Sequence, residues 1–572
     1  MVHRFFLFIL LSCSLVLAVF ACILVREALA ADYTDISVTE AKTMIDQKPS
    51  LVILDVRNQS EYDAGHIRNA KLIPVWQLAT RLNELNKTDE ILVYCRSGVR
   101  SAAASLTLAD NGFSHFYNML GGIMAWINAT YPVYVKYSSI QGAINNATIG
   151  DTINVSSGLY YEHLTINKTL ALQGEDKDTS IIDGNGTATV VDVTSENVTI
   201  TSFTIRGSGC SCAYYAGVST GPSSQNLNLT ENSLVNNGFG VLLNNASNAI
   251  LSHNEITNNS YAVEITFSSG NSIIGNNMSN NGAGFDLNPS SSDNTIVGNN
   301  ITGNPIYDIL LRSSSNENIF AENEMTNSSH GVRLYSSFNN TFSGNLVAED
   351  GVGIDVENST GNTFYQNSFT DNDEHVQFDG PSLNNTWDNG NVTGGNYWNN
   401  YTGTDSNHDG IGDSPQVSDL SDQDNYPLMG MFSTFTTSAD NLLSVTSNST
   451  VEDLEYFSSN NTIKMHVTNM TENQQYGFCR LTIPRDVLPP PYTVTINNNP
   501  INYTLIFENA TMSVIYFSYE HSTNEILIIP EYTSSIFLAL AGGAALLSAT
   551  VYRRKRVRNC SASASTQTDF SS

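Results

Sequence analysis

One short pattern between Leu229 and Phe378 constrains this chain more than any other feature of its sequence. An asparagine returns about every 22 residues, with an apolar residue three places before it and another two places after. The series runs Leu229-Asn232-Leu234, Leu251-Asn254-Ile256, Ile273-Asn276-Met278 and Ile296-Asn299-Ile301, then Phe320-Asn323-Met325, Phe342-Asn345-Val347 and Phe364-Asn367-Phe369. Each asparagine is followed by a second apolar pair, from Val241/Leu243 and Val263/Ile265 through to Val376/Phe378. A fixed short period is the mark of a solenoid, whose units bury their apolar faces only against their neighbours. Pairs at i and i+2 share one face of a strand, and no helical spacing is present. The expected structure is a parallel β-helix, with the asparagines stacked at one bend and hydrogen-bonded along its axis.

At 572 residues the chain exceeds one compact core, so several domains are expected. A formal charge of −30 with only 14% charged residues disfavours nucleic acid as a partner and suits cations, glycans or plain solubility. The apolar run Phe5–Val25 follows a basic start, and Ala28-Leu29-Ala30 offers a cleavage site, so export is expected. Thr533–Tyr552 is long enough to span a bilayer and is followed by Arg553, Arg554, Lys555, Arg556 and Arg558. That basic cluster puts the tail in the cytoplasm and the bulk of the chain outside. Seven cysteines, three of them in the signal and tail, do not make a disulfide framework.

The segment before the repeat is of another kind. Strands at Leu51–Asp55 and Ile91–Tyr94 alternate with helices at Thr39–Asp46, capped by Thr39, and at Ser101–Asn111. Between the second strand and its helix lies Cys95-Arg96-Ser97-Gly98-Val99-Arg100. Such a junction aims successive N–H groups into one nest at the positive end of a helix, which favours a thiolate there and stabilises its anionic adducts. With Asp55-Val56-Arg57, Glu61-Tyr62-Asp63-Ala64-Gly65-His66-Ile67, Ala70 and Gly121-Gly122-Ile123-Met124-Ala125-Trp126, the segment resembles a single-domain rhodanese. The resemblance implies that Cys95 takes sulfane sulfur from a thiosulfate-like donor and passes it to a thiophilic acceptor, with no cofactor required. It makes Cys95 and Arg100 the catalytic pair, Arg96, Ser97, Gly98 and Val99 the active-site loop, and Asp55, Arg57, Glu61 and His66 supporting residues. The six-residue loop has the length associated with sulfur rather than phosphate chemistry. Trp126 is expected in the core.

The repeat itself, with its opening cap at Ser139–Gly158 and the motifs Gly394-Gly395-Asn396-Tyr397-Trp398 and Asp424-Asn425-Tyr426-Pro427-Leu428, resembles the NosD family of right-handed β-helices. Members of that family bind or process carbohydrates, and one branch assists copper-enzyme maturation. The short span and basic tail resemble the anchors of archaeal surface proteins. Between the two motifs, Asp405, Asn407, Asp409 and Asp413 match calcium-loop positions, with Gly410 for the bend; Gln416 stands where the bidentate Glu belongs, with Asp422 or Asp424 as its substitute. Cys210-Ser211-Cys212, in an insertion between coils, suits a soft metal or sulfur accepted from Cys95, but equally a local disulfide or two solvated thiols. The outward stripe Leu242, Glu264, Asp286, Leu310, Arg333, Asp355 and Gln377 is expected to be solvated decoration rather than a glycosidase site.

The expected architecture is therefore multidomain: signal peptide 1–31, rhodanese-like α/β domain 32–134, right-handed parallel β-helix 135–430, a small β-sandwich 431–530, transmembrane helix 533–552 and cytoplasmic tail 553–572. Two functions fit. One is a cell-surface sulfurtransferase with the β-helix as scaffold or ligand surface. The other is a non-catalytic glycan- or metal-binding protein whose rhodanese-like domain only docks partners.

Overall fold

The computed structural model describes residues 33–380, 382, 384–417, 422–437, 441–471 and 474–531. The expected signal peptide, membrane span and tail lie outside the described residues. Among the described residues no helix is long and apolar enough to cross a membrane. The chain divides into two compact units, one of residues 1–319 and 324–337 and the other of residues 320–323 and 338–572.

The first unit opens with a five-stranded sheet. Its strands are β1 (Thr34–Ile36), β2 (Val52–Asp55), β3 (Lys71–Leu72), β4 (Ile91–Tyr94) and β5 (Phe116–Met119), in the order β1-β5-β4-β2-β3. Alternate residues feed opposite faces: Leu54 and Val93 join one core, while Ile53 and Leu92 join the other. Helices α1 (Val38–Gln47), α2 (Gln59–Asp63), α3 (Val75–Leu78), α4 (Val99–Asp110) and α5 (Gly122–Asn128) complete the α/β domain. The cap of α1 is Ser37 and not Thr39, because Ser37 and Glu40 close a reciprocal capping box.

No free linker separates this domain from the first coil of the solenoid. Tyr134 pairs antiparallel with His66, and Val135 pairs parallel with Val155 of that coil. A short helix α6 (Ile140–Asn146) lays fully buried Ile140 and Ile144 over it. Ile149, expected in the same cap, is 79% exposed because it falls in the turn that Asp151 closes with the Thr148 N–H.

Three parallel faces then wind through the unit, one strand of each per coil except where Asn277 continues one face by single bridges to Glu255 and Asn300. The first coils are built from β6 (Thr152–Val155), β7 (Gly158–Tyr161), β8 (Leu164–Ile166), β9 (Ala171–Gly174) and β10 (Ser180–Asp183). Like side chains stack in register, as in Leu229↔Leu251↔Ile273↔Ile296 and Val241↔Val263↔Phe285↔Ile309. The asparagine series forms the expected ladder. The Asn232 N–H donates to Asn254 Oδ1 at 3.0 Å, and the Asn254 N–H to Asn276 Oδ1 at 2.9 Å. Each Nδ2 also closes a bend, as Asn254 does on the Leu229 carbonyl at 2.8 Å. The residue before each ladder asparagine turns the corner in the left-handed region, His253 (φ 54°) and Gly275 (φ 61°) among them. Two further ladders occupy the other corners: Asn237, Asn259, Asn281 and Asn304 in one, Asn271, Asn294 and Asn318 in the other.

The second unit begins with the same coil geometry. Phe320, Phe342, Phe364 and Trp387 stack ring on ring at 4.7, 5.1 and 4.4 Å. Its asparagine ladder ends at Asn396, whose N–H donates to the buried Asp424 carboxylate at 2.7 Å. Trp398 Nε1 donates to the same carboxylate at 2.9 Å, and a Cβ at Gly395 would lie 1.8 Å from Asp424 Oδ1. The two closing motifs of the sequence are thus one structural plug. Two five-stranded antiparallel sheets complete the unit, sharing a core that includes Leu443, Met465, Leu481, Phe517 and Ile528. Cys479 lies in that core, and burial pushes its thiol up to about 11.

Asn254→Ala orphans partners on two sides of a buried bend. Each lost partner costs about 1–3 kcal/mol, so the variant is expected to lose roughly 3 kcal/mol or more. Exposed Ser260→Ala should stay within about 0.5 kcal/mol of the parent. Denaturant unfolding of the two variants checks this.

Candidate active site

Strand β4 ends at Tyr94, immediately before Cys95, and helix α4 begins four residues after the cysteine, so the loop folds back over it. Cys95 is 1% exposed. Its Sγ accepts the Gly98 N–H at 3.2 Å and the Ser101 hydroxyl at 3.5 Å. Burial works to raise its pKa, but hydrogen bonds from the Ser101 side chain and from the N–H groups of Ser101, Ser97 and Gly98 outweigh it, and the thiol is held below its ordinary value. Arg96, Ser97 and Val99 are exposed, so the loop opens to solvent above the sulfur. The N-terminus of α5 holds the loop from below: the Ile123 N–H donates to the Cys95 carbonyl at 2.8 Å, and the Met124 N–H to that of Arg96 at 3.2 Å. Only glycine fits at 122, where a Cβ would meet the Cys95 carbonyl at 2.4 Å.

Arg100, on the first turn of α4, forms a two-point pair with Glu61 of α2 at 2.6 and 2.8 Å. The Arg100 hydrogen bonds hold the Glu61 carboxyl down at about 2. Arg57 grips buried Asp55 through Nε and Nη2 and reaches the Gly65 carbonyl at 2.8 Å, which fixes the wall behind α2. Trp126 is a core residue, 2% exposed, donating to the Pro132 carbonyl. Of the supporting residues, Glu61 therefore touches the site, while Asp55 and Arg57 brace it. His66 turns away from Cys95, and its Nε2 meets Glu175 of the β-helix at 3.0 Å.

The remaining expected sites differ. Cys210 and Cys212 are joined as a disulfide, so neither offers a thiolate in this state. In the calcium-type loop the carboxylates accept backbone N–H groups of their own turn. Asp405 accepts the N–H groups of Asp409 and Gly410, Asp409 that of Ile411, and Asp413 that of Ser406. Asn407 donates its amide to Asp409. Buried Arg480 lies within electrostatic reach of Asp405 and Asp409, so positive charge already neighbours the loop. Among the described residues no group of three or more His, Cys, Asp or Glu side chains converges on a metal position.

The outward stripe is not solvated decoration in its middle. Glu264 is 4% and Asp286 0% exposed, on paired strands, and Tyr307 and Arg312 lie over Asp286 at 3.3 and 2.7 Å. Burial, then the Asp286 charge, pushes the Glu264 carboxyl up to about 7. The covering side chains come from residues outside the stripe, which is why alternation along a strand did not reveal them.

Fold and site together define a rhodanese-type α/β domain joined to a parallel β-helix. The rhodanese-like domain family matches residues 37–129, and the family described as periplasmic copper-binding protein (NosD) matches residues 144–330 and 290–403. Thiosulfate sulfurtransferase GlpE of Coxiella burnetii is 34% identical over 94 residues, which are 16% of this chain and 87% of that protein. YrkF of Bacillus subtilis is 39% identical over 101 residues, 18% of this chain and 55% of that protein, so the chain spans little more than half of this relative. The crystal structure of a rhodanese-related protein from Thermoplasma volcanium is 32% identical and covers 18% of this chain and 100% of that one, with a TM-score of 0.17. The chain belongs to the rhodanese family through its N-terminal domain, which is joined here to a NosD-like β-helix.

Glu264 gives a pH signature. Its folded pKa, about 7, lies above the unfolded value near 4.5, so the folded state holds the extra proton between them. Parent stability should fall as pH rises from 4.5 to 7 and then level. Glu264→Gln should escape that loss, gaining on the parent by as much as about 3 kcal/mol across the window, as read by unfolding at stepped pH.

Proposed function

We propose that this protein is a sulfurtransferase that moves sulfane sulfur from a thiosulfate-like donor through a persulfide on Cys95. The supporting observation is a buried Cys95 sulfur that receives N–H and hydroxyl donors under a loop open to solvent. The Cys95 thiolate attacks the outer sulfur of thiosulfate. A new S–S bond forms, the sulfur–sulfur bond of thiosulfate breaks, and sulfite departs with the electron pair. The same donors then stabilise the terminal persulfide anion. A thiophilic acceptor such as cyanide or a thiolate attacks the terminal sulfur, and the Cys95 thiolate returns as the leaving group. Arg100 draws the donor dianion to the mouth of the loop.

In this reading the reaction takes place outside the cell. Support comes from the export-type start, from the apolar Thr533–Tyr552 with its basic tail, and from the periplasmic description of the NosD family. The β-helix acts as scaffold, and glycans are the ligand class its acidic, amide-rich surface favours.

The test is thiosulfate:cyanide kinetics. Cys95→Ser should lose at least about 10³-fold of activity, and Arg100→Ala should raise KM for thiosulfate about tenfold with a smaller change in kcat. Because the folded thiol is held low, kcat/KM should rise with pH and reach its plateau below the ordinary thiol range near 8.5. Ser101→Ala should move that inflection upward. Full activity in Cys95→Ser would overturn the assignment.

A further inference from the structure

The corner that carries the first asparagine ladder holds something else in an early coil. Between β9 and β10, at the bend where later coils place Asn232 and Asn254, stands Glu175, 2% exposed. It makes the ladder bond in the same sense as those asparagines: the Ser157 N–H of the preceding coil donates to Glu175 Oε2 at 2.9 Å, as the Asn232 N–H donates to Asn254. A carboxylate has a second oxygen free to accept where an amide has only a donor. Oε1 accepts His66 Nε2 at 3.0 Å and the Asn69 N–H at 2.9 Å, both from the rhodanese-like domain. The Glu175 carbonyl takes Arg68 Nε at 2.8 Å.

The other face of this contact leads to the active site. The His66 ring stacks on Tyr62 at 3.6 Å, with Nδ1 3.0 Å from the Tyr62 carbonyl. Both ring nitrogens face oxygen atoms, which fixes the ring between α2 and Glu175. Tyr62 belongs to α2, beside Glu61, whose carboxylate holds Arg100 at two points. Helix α2 has five residues, none fully buried, too few to fix its own place by packing. Its position is set at its ends: Asn58 caps the start, while the Arg57–Gly65 bond and the His66–Glu175 pair tie down the end.

We propose that Glu175 is a positioning residue for sulfur transfer: through His66 and α2, the β-helix fixes Glu61 so that Arg100 keeps its place at the end of the Cys95 loop. This role rests on the sulfurtransferase reading. It makes the β-helix part of the enzyme, since the residue that sets the donor-binding arginine belongs to the second domain.

The experiment is thiosulfate:cyanide kinetics on the full chain with Glu175→Gln, Glu61→Gln and the double variant. Glu175→Gln should raise KM for thiosulfate about 5- to 20-fold while kcat stays within about twofold. Glu61→Gln should do the same, and the double variant should be no worse than Glu61→Gln alone, because both act on Arg100 through one path. Glu175→Asp keeps the charge and should show a smaller KM rise, which serves where the Gln variant does not fold. Unchanged kinetics in Glu175→Asp and Glu175→Gln, equal losses in kcat and KM, or effects that multiply in the double variant would overturn the role of Glu175 with the sulfurtransferase reading intact. An inactive parent would overturn that reading and this role together.

Discussion

The first unit depends on one repeated contact, a buried side-chain carbonyl that takes the backbone N–H of the coil before it. A parallel solenoid has no hairpins to fix its register, so something at each bend must satisfy backbone groups that the strands leave unpaired. Asparagine does this with both ends of its amide: Oδ1 accepts along the axis while Nδ2 closes the bend, as at Asn254 and Asn276. These asparagines are 2% exposed or less, where a half-satisfied amide would be costly. Register results from it, and with register the stacking of Leu on Leu and Val on Val.

Glu175 extends the same contact beyond the β-helix. The bend that an amide would close is left with an accepting oxygen, and the rhodanese-like domain fills it with His66 and Asn69. The short bridges at Tyr134 and Val135 add backbone pairing to that contact. A buried pair of this kind is weak evidence for stability, since a well-packed apolar contact would serve as well. It is better suited to specifying one orientation. Within the first unit the rhodanese-like domain and the solenoid meet through defined donors and acceptors, not through a loose tether.

Much of this was legible in the sequence, for physical reasons that differ by element. The solenoid was readable because Asn232, Asn254 and Asn276 are flanked by apolar residues whose spacing a strand requires. The ladders at Asn237 and Asn271 recur at nearly the same period, yet were lost in a background rich in asparagine. The Cys95 loop was readable because a strand-loop-helix nest is a local object. His66 was not: its motif suggested the active site, but its partner lies 109 residues away in another domain. Glu264 and Asp286 were likewise misjudged, because exposure of an outward strand residue depends on what loops such as the one bearing Tyr307 lay over it.

The central claim is that Cys95 carries sulfur, and intact mass reads it directly. The full chain, reduced and freed of reductant, is weighed before and after thiosulfate, beside Cys95→Ser. The account predicts a gain of one sulfur atom, about 32 Da, in the parent alone, released by cyanide as thiocyanate. No adduct on a demonstrably free Cys95 thiol, or an equal adduct in Cys95→Ser, would contradict it.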